Sequence, residues 1–197
     1  MAHHIYNTDC FIFGGVAIGE SNRFLTVWTR ELGLIRAVSK SLRTSHSKLR
    51  YHLQDYSYTH ISLVRGRNVW RVTGAHLIYN LFNEYAGSRG KQLLLMRVCA
   101  LLSRLLQGEE EDKKLFDLVS SGMTFMQNTS LDAELLRDFE YILVVRILAK
   151  LGYVGESEDV SVLLSPSPFS RKDLVQVSSC RSQAANAINK AIEASGL

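Results

Sequence analysis

The chain has 197 residues, 46% of them hydrophobic, and a formal net charge of +4. This length allows one large or two small domains, and the apolar fraction is high enough to build folded cores, which excludes a disordered protein. No apolar run approaches the roughly 20 residues of a membrane-spanning helix. The N-terminus lacks a basic segment followed by a long apolar one, so we expect no signal peptide.

Cysteines are few and scattered along the chain. The three of them, Cys10, Cys99 and Cys180, are far apart in sequence. An odd number at such distances gives neither a disulfide framework nor a Cys-x-x-Cys metal pair. We therefore expect a protein of the reducing cytoplasm with no metal held by cysteine.

Basic residues are concentrated in the first part of the chain. Residues 1–80 contain ten Lys/Arg and four Asp/Glu, a net of +6, whereas residues 81–197 contain thirteen and fifteen, a net of −2. All six histidines also lie in the first part. A basic half joined to a slightly acidic half predicts a nucleic-acid-binding module followed by a module with a different task.

Runs rich in β-branched and aromatic residues predict five short strands in the first part, at about 8–17, 23–30, 34–40, 56–64 and 69–75. Gly14-Gly15 predicts a bulge in the first run, and Gly33 a turn between the second and third. Five short strands with a longer, basic connection after the third predict a small β-barrel of the OB type. Another small antiparallel barrel or sheet would also fit the composition.

Five cations appear within residues 36–50 without one carboxylate between Glu31 and Asp55: Arg36, Lys40, Arg43, Lys48 and Arg50. Serine, threonine and histidine fill the gaps and add donors that phosphate and sugar oxygens accept. A solvated charge run is the alternative, but the clustering in one module favours DNA binding. The predicted patch extends to three arginines of the last hairpin: Arg65, Arg67 and Arg71. The alternative is that they are only solvated, as arginines at hairpin tips often are.

Aromatic side chains in the same module could stack on bases, as they do in many OB barrels. Strand aromatics are more often buried, so each one taken singly is better explained as core. The candidates are Tyr51, Tyr56, Tyr58 and Trp70.

After Asn80 the apolar period changes from two to about 3.6, which predicts helices. One helix should end before Gly108, and the acidic run 109–112 should begin the next, where carboxylates complement the helix dipole. The longest helix should run from about Asp132 to Gly152 and lie at the centre of a bundle. Residues 156–170 predict a loop and 181–194 a last helix. We predict an α+β protein with an OB-type nucleic-acid-binding domain at 1–80 and an all-helical domain for partner docking at 81–197.

Arg146 lies among apolar residues on the longest predicted helix. An uncompensated charge there would be costly, so it needs a carboxylate partner or must bind one. An internal ion pair is the simpler hypothesis.

Several segments resemble the RecO family of bacterial recombination mediators. In the N-terminal part they are Gly19-Glu-Ser, Thr29-Arg-Glu-Leu-Gly33, Val38-Ser-Lys40, Ser47-Lys-Leu-Arg50 and Leu53-Gln54. In the helical part they are Leu115-Phe-Asp-Leu, Phe139-Glu and Leu148-Ala-Lys-Leu-Gly-Tyr153. Two segments depart from the family pattern: Ser39-Lys-Ser-Leu-Arg43 stands where Ala-Lys-Gly-Ala-Arg is common, and Leu53-Gln-Asp55 where Leu-Gln-Pro is common.

The resemblance implies a cytoplasmic, nucleoid-associated protein of DNA repair and recombination, without enzymatic turnover. It implies binding of single- and double-stranded DNA, strand annealing and assistance in loading RecA on DNA coated with single-strand-binding protein, usually with RecR. It further suggests that Arg137 or Arg146 holds the acidic, apolar C-terminal tail of single-strand-binding protein. The four-cysteine zinc module of many members has no counterpart after Tyr153, so no cofactor is expected.

Two other functions remain open. One is a generic single-stranded DNA- or RNA-binding OB protein whose helical half only dimerises. The other is an enzyme with an unrecognised site. The sequence contains no Gly-x-Ser-x-Gly elbow, phosphate-binding loop or His-Glu-x-x-His motif, which leaves the enzyme with the least support.

Overall fold

The computed structural model describes residues 4–155, 163–164 and 168–196. The chain divides into two compact units, Met1–Gly87 with Leu95–Lys113, and Ser88–Leu94 with Lys114–Leu197. The change from strands to helices falls at residue 80, because the fifth strand ends at Asn80 and the first helix begins at Leu81. The separate tasks assigned to residues 1–80 and 81–197 stay a prediction.

Five strands form a closed barrel in the first unit: β1 (Ile5–Ile18), β2 (Asn22–Thr29), β3 (Gly33–Ser39), β4 (Ser57–Arg65) and β5 (Trp70–Asn80). Their order around the barrel is β1-β2-β3-β5-β4, with β4 returning to β1. All neighbours are antiparallel except β3 and β5. The predicted OB-type barrel followed by helices is confirmed.

Alternation along the strands places apolar side chains inside the barrel and polar ones outside. In β3, Ile35 and Ala37 are buried in the barrel core while Arg36 is exposed. The predicted bulge in β1 is present, with a register shift between Ile12 and Gly14. The fifth strand is longer than predicted and reaches Asn80. The prediction stopped early because Gly74 weakens the local strand signal.

The described residues include these helices: α1 (Leu81–Glu84), α2 (Arg89–Leu105), α3 (Lys113–Asn128), α4 (Ala133–Lys150), α5 (Arg171–Ser178) and α6 (Arg181–Ser195). The start of α4 is as predicted, because the Asp132 carboxylate accepts a hydrogen bond from the Leu135 N–H at 2.9 Å. Its side chains are buried from Asp138 to Leu148 apart from Glu140 and Tyr141, which confirms its central position in the second unit. No described helix is long and apolar enough to cross a membrane.

Two helical details differ from the prediction. The acidic run 109–112 was predicted to begin a helix, but all four residues lie in the connection between α2, which ends at Leu105, and α3, which begins at Lys113. The short helix α5 was not predicted; it begins with a capping box in which Ser170 and Asp173 exchange hydrogen bonds. Most of the predicted loop 156–170 lies outside the described residues.

Candidate nucleic-acid interface

All eight side chains predicted to contact DNA are exposed on the first unit: Arg36, Lys40, Arg43, Lys48, Arg50, Arg65, Arg67 and Arg71. The barrel topology distributes them over three places. These are the outer face of β3 and β5, the connection between β3 and β4, and the hairpin between β4 and β5.

The outer face of β3 presents Arg36, whose guanidinium carbon lies 5.9 Å from the centre of the Phe24 ring. Val38, two residues further on the same face, pairs with Arg71 of the parallel strand β5. Arg36 and Arg71 therefore project from the same side of the barrel, and Lys40 follows directly after β3. Strand pairing thus places Arg36 and Arg71 on one surface although they are distant in sequence.

The connection between β3 and β4 is anchored at both backbone and side-chain level. Arg43 donates its backbone N–H to the carbonyl oxygen of Ser21 at 2.9 Å and its Nη1 to that of Gly19 at 3.1 Å. Leu42 and Leu53 are buried in the barrel core. The cations of the connection are thus presented by a segment that is fixed to the β1–β2 turn and to the core.

A cleft of about 570 Å³, here called the arginine cleft, lies beside this connection. Its lining consists of Gly15, Ala17, Arg23, Leu42, Arg43, Arg50, Leu53 and Gln54. Three of the lining residues are arginines, and guanidinium is the cation that best matches phosphate geometry. Arg23 was not predicted as a site residue, because it stands alone in β2; it donates to the Asp55 carboxylate at 2.7 Å and to the Gly15 carbonyl at 3.2 Å.

The hairpin between β4 and β5 forms a second basic cavity of about 370 Å³, which Arg65, Arg67 and Arg71 line. Arg65 is partly engaged, because its Nη1 lies 3.0 Å from the Glu109 carboxylate and its guanidinium carbon 5.2 Å from the centre of the Trp70 ring. An exposed pair of this kind is screened by solvent and contributes little to stability. The Arg65 and Glu109 side chains both remain exposed to solvent.

The four candidate stacking aromatics have different environments. Trp70 is only 3% exposed, and its Nε1–H donates to Glu109 at 2.9 Å, so its ring belongs to the core and offers no face to a base. Tyr58 is half-buried and stacks on Tyr79. Tyr51 is 71% exposed within the basic connection and is the accessible platform there.

Comparison with known proteins places these features in a family. Residues 1–81 match the family model described as Recombination protein O N terminal. A DNA repair protein RecO of Dehalococcoides mccartyi is 31% identical over 153 residues, covering 78% of this chain and 58% of that protein. The chain belongs to the RecO family.

Two further relatives are more distant. The DNA repair protein RecO of Roseiflexus sp. is 26% identical over 78% of this chain and 52% of its own length. That of Alkaliphilus metalliredigens is 25% identical over 69% of this chain and 55% of its own length. The chain thus spans little more than half the length of the RecO proteins it matches, and it is a member of a family of DNA repair proteins.

One departure from the RecO pattern has a structural explanation. Ser41 stands where the family commonly has glycine, and its φ is +52°, in the left-handed region that glycine adopts most easily. Its backbone N–H donates to the Asn22 side chain at 3.0 Å. The serine therefore adopts the conformation that glycine favours, so the connection needs no glycine at this position.

The two arginines considered for a partner tail have different environments. Arg137 is exposed on α4 and lies 3.6 Å from Glu134. Arg146 is 6% exposed; its Nε donates to the Leu163 carbonyl at 2.9 Å and its guanidinium lies 4.7 Å from the centre of the Phe169 ring. Burial lowers the pKa of Arg146, and the Asp173 carboxylate opposes that shift.

Spacing along α4 separates these two arginines further. Nine residues correspond to about two and a half turns, so Arg137 and Arg146 project from opposite sides of the helix. One extended ligand cannot use both as neighbouring anchors. Among the residues that the structure describes, no group of three or more His, Cys, Asp or Glu side chains could hold a metal ion.

Proposed function

We propose that this chain is a non-enzymatic mediator of DNA repair and homologous recombination that binds single- and double-stranded DNA through its barrel. The observation that carries the proposal is that Arg23, Arg43 and Arg50 all line the arginine cleft of a RecO-family barrel. In this role the protein anneals complementary strands and assists RecA loading on DNA coated with single-strand-binding protein. It works on the nucleoid DNA of the cytoplasm.

The chemistry of the interface suits the phosphate backbone. Exposed guanidinium and ammonium groups on the barrel neutralise phosphates and release condensed counterions, which makes affinity depend steeply on salt. Such contacts do not distinguish one base sequence from another, because every nucleotide offers the same phosphate. A protein that anneals arbitrary complementary strands needs this kind of sequence-independent grip.

Partner docking is assigned to the helical residues. Arg137 is the accessible candidate for the acidic, apolar C-terminal tail of single-strand-binding protein, because it is exposed on α4. Arg146 is buried beside Phe169 and better suited to holding α4 against its neighbours. RecR is the further expected partner. A tail peptide titrated against Arg137→Ala should bind more weakly than to the unaltered protein, while DNA affinity stays the same.

The proposal is tested by reversing charge at the start of the basic connection. Lys40→Glu with Arg43→Glu should weaken DNA binding whatever the sequence, and it should reduce the slope of log K against log salt by about 1.4 for single strands, since each phosphate contact contributes about 0.7. Fluorescence anisotropy over a series of salt concentrations measures both quantities.

The matched control changes the same amount of charge on the second unit. Lys114→Glu with Lys190→Glu alters two exposed lysines of α3 and α6 and should leave the salt slope nearly unchanged. If the folded Lys40→Glu, Arg43→Glu variant bound DNA as tightly as the unaltered protein, these two residues would not be part of the DNA-binding site. Binding without annealing of protein-coated strands, and without tail affinity, would instead indicate a generic single-strand-binding OB protein with a helical dimerisation half.

A further inference from the structure

A second cavity lies next to the arginine cleft and has a different chemistry. This aromatic–amide pocket of about 280 Å³ is lined by Gln54, Asp55, Tyr56, Asn80, Phe82 and Asn83. Gln54 also lines the arginine cleft, so the two cavities share a wall. The volume is close to the lower end of small-ligand pockets, about 300 Å³, which suits a single small ring system.

Two aromatic rings form the apolar side of the pocket. The Tyr56 and Phe82 rings stack with their centres 5.7 Å apart and an angle of 24° between them. Phe82 is 36% exposed, so part of its ring is open to solvent at this pocket. A flat ligand in the pocket would meet the solvent-exposed part of this ring.

The backbone holds Tyr56 in an uncommon conformation. Its φ is +62°, in the left-handed region that residues other than Gly, Asn and Asp rarely adopt. Its N–H donates to the Ile12 carbonyl at 2.7 Å, and its own carbonyl accepts from the Leu81 N–H at 3.0 Å. Neighbours on both sides thus enforce the strained backbone that directs the Tyr56 ring against Phe82.

Three carboxamides form the polar side, and only one of them is saturated. Asn80 donates to the Asp55 carbonyl and to Ser57 Oγ, each at 3.0 Å, and accepts from the Asn83 N–H at 3.0 Å. Among the described residues the side-chain amides of Gln54 and Asn83 make no hydrogen bond. Each offers a donor and an acceptor, the pair that the edge of a nucleobase requires.

The two cavities differ in charge. Arg43 and Arg50 line the arginine cleft together with Arg23, and none of the described residues that line it is acidic. The only charged group among the described residues lining the aromatic–amide pocket is the Asp55 carboxylate, which pairs with Arg23 at 2.7 Å. Phosphate is attracted to the first cavity and disfavoured in the second. An uncharged ring with polar edges fits the second.

We propose that the aromatic–amide pocket binds one unstacked base of a single DNA strand whose phosphates lie in the arginine cleft. The base stacks on Phe82, and the Gln54 and Asn83 amides bond its edge. This inference rests on the proposed DNA-binding function and adds a contact that duplex DNA cannot make, because bases within a duplex are stacked and paired. The pocket therefore gives the barrel a preference for unpaired strands.

The test compares three probes of equal length: an oligothymidine, an abasic oligonucleotide with the same phosphates, and a duplex. Phe82→Leu keeps an apolar side chain but removes the ring, and Asn83→Ala removes one free amide. We expect Phe82→Leu to weaken oligothymidine binding by about 5- to 150-fold, the range for loss of one stacked base. Affinity for the abasic strand and the duplex, and the salt slope on each probe, should not change.

A direct readout comes from a single 2-aminopurine placed along the oligonucleotide, whose fluorescence is quenched when the base stacks. Quenching should occur with the unaltered protein and be lost in Phe82→Leu. Lys114→Glu serves as a matched control, since this exposed residue of the second unit is remote from the pocket in sequence and should leave quenching intact.

The outcomes separate this inference from the function on which it rests. Equal oligothymidine affinity in Phe82→Leu and the unaltered protein would overturn the pocket while leaving phosphate binding in place, provided that charge reversal at Lys40 and Arg43 still weakens binding. An equal loss on all three probes would also overturn it, because the effect would not depend on a base. No affinity of the unaltered protein for any probe would overturn both.

Discussion

Two residues with strained backbones border the basic connection. Ser41 and Tyr56 are the non-glycine residues with positive φ in the described part of the chain, at +52° and +62°. The left-handed conformation costs about 1–2 kcal/mol for an L-residue. The backbone N–H of each donates a hydrogen bond, that of Ser41 to the Asn22 side-chain oxygen and that of Tyr56 to the Ile12 carbonyl. The connection is therefore fixed at its two ends while the cations between them face solvent.

Glycine is required at Gly33 for two separate reasons. Its φ is +69°, and a β-carbon there would collide with the backbone of Glu110. Gly19 has a similar φ of +57° but nothing within 4 Å of its would-be β-carbon. Gly19→Ala should lower the free energy of unfolding by about 1–2 kcal/mol, and Gly33→Ala by about 1–3 kcal/mol more, the usual cost of overpacking.

Urea unfolding followed by circular dichroism measures this pair of glycine variants. Because both lose the same backbone freedom, the difference between them isolates the collision with Glu110. Equal stability of Gly19→Ala and Gly33→Ala would show that the connection after α2 does not press on β3.

At the scale of elements, the connection between α2 and α3 lies against the barrel within the first unit. The Leu34 N–H donates to the Gly108 carbonyl at 3.0 Å. The Glu109 carboxylate then binds both Arg65 at 3.0 Å and the Trp70 indole N–H at 2.9 Å. An acidic side chain from the connection between α2 and α3 thus neutralises part of the basic hairpin. The net charges of residues 1–80 and 81–197 do not show this pairing.

This contact predicts that Glu109 competes with phosphate for Arg65. Glu109→Gln keeps an oxygen that can accept from Trp70 but removes the charge, so DNA affinity should rise about two- to fivefold, the value of an exposed ion pair. The salt slope for single strands should become steeper by about 0.7, one additional phosphate contact.

The matched control for that variant is Glu111→Gln. Glu111 belongs to the same acidic run but pairs with Lys113 at 2.8 Å. It should change DNA affinity less than Glu109→Gln does when both are titrated under the same salt conditions. A lower affinity in Glu109→Gln would mean that the carboxylate orients Arg65 for DNA instead of competing with it.

At the scale of the whole molecule, burial controls the ionisation of several acidic groups in the first unit. It raises the pKa of the Cys99 thiol from 9.0 to about 12 and raises that of Cys10 further, with Asp9 adding to the effect. Burial is also the main reason that the pKa of Tyr85 is raised. The folded chain therefore keeps these protons at a pH where the unfolded chain has lost them.

Stability should consequently decrease in alkali. Above about pH 9 the unfolded state binds fewer protons than the folded state, so the free energy of unfolding falls by about 1.4 kcal/mol per pH unit for each such thiol. Denaturant unfolding between neutral pH and pH 11 measures this slope, and Cys99→Ala should make it shallower. A slope in Cys99→Ala as steep as in the unaltered chain would show that Cys99 does not contribute.

Much of the fold was predictable because its signals are local. The run of residues 34–40 identified β3, and Gly33 marked the turn before it. The Asp132 cap and the apolar residues after it located α4. The helices α1 and α5 were missed since four and eight residues are too few for a periodic pattern to develop.

Sequence alone determined the order of the five strands and the longer helices, the basic character of the first half and the RecO resemblance, because periodicity, charge and short motifs are properties of neighbouring residues. Tertiary structure alone decided that Arg23 joins Arg43 and Arg50 in a cleft, that Glu109 holds Arg65, and that Gln54 stands between a cationic cavity and an aromatic one. The ion pair of Arg23 spans 32 residues and the Trp70–Glu109 bond 39. Barrel closure creates such contacts, and no spacing along the chain encodes them.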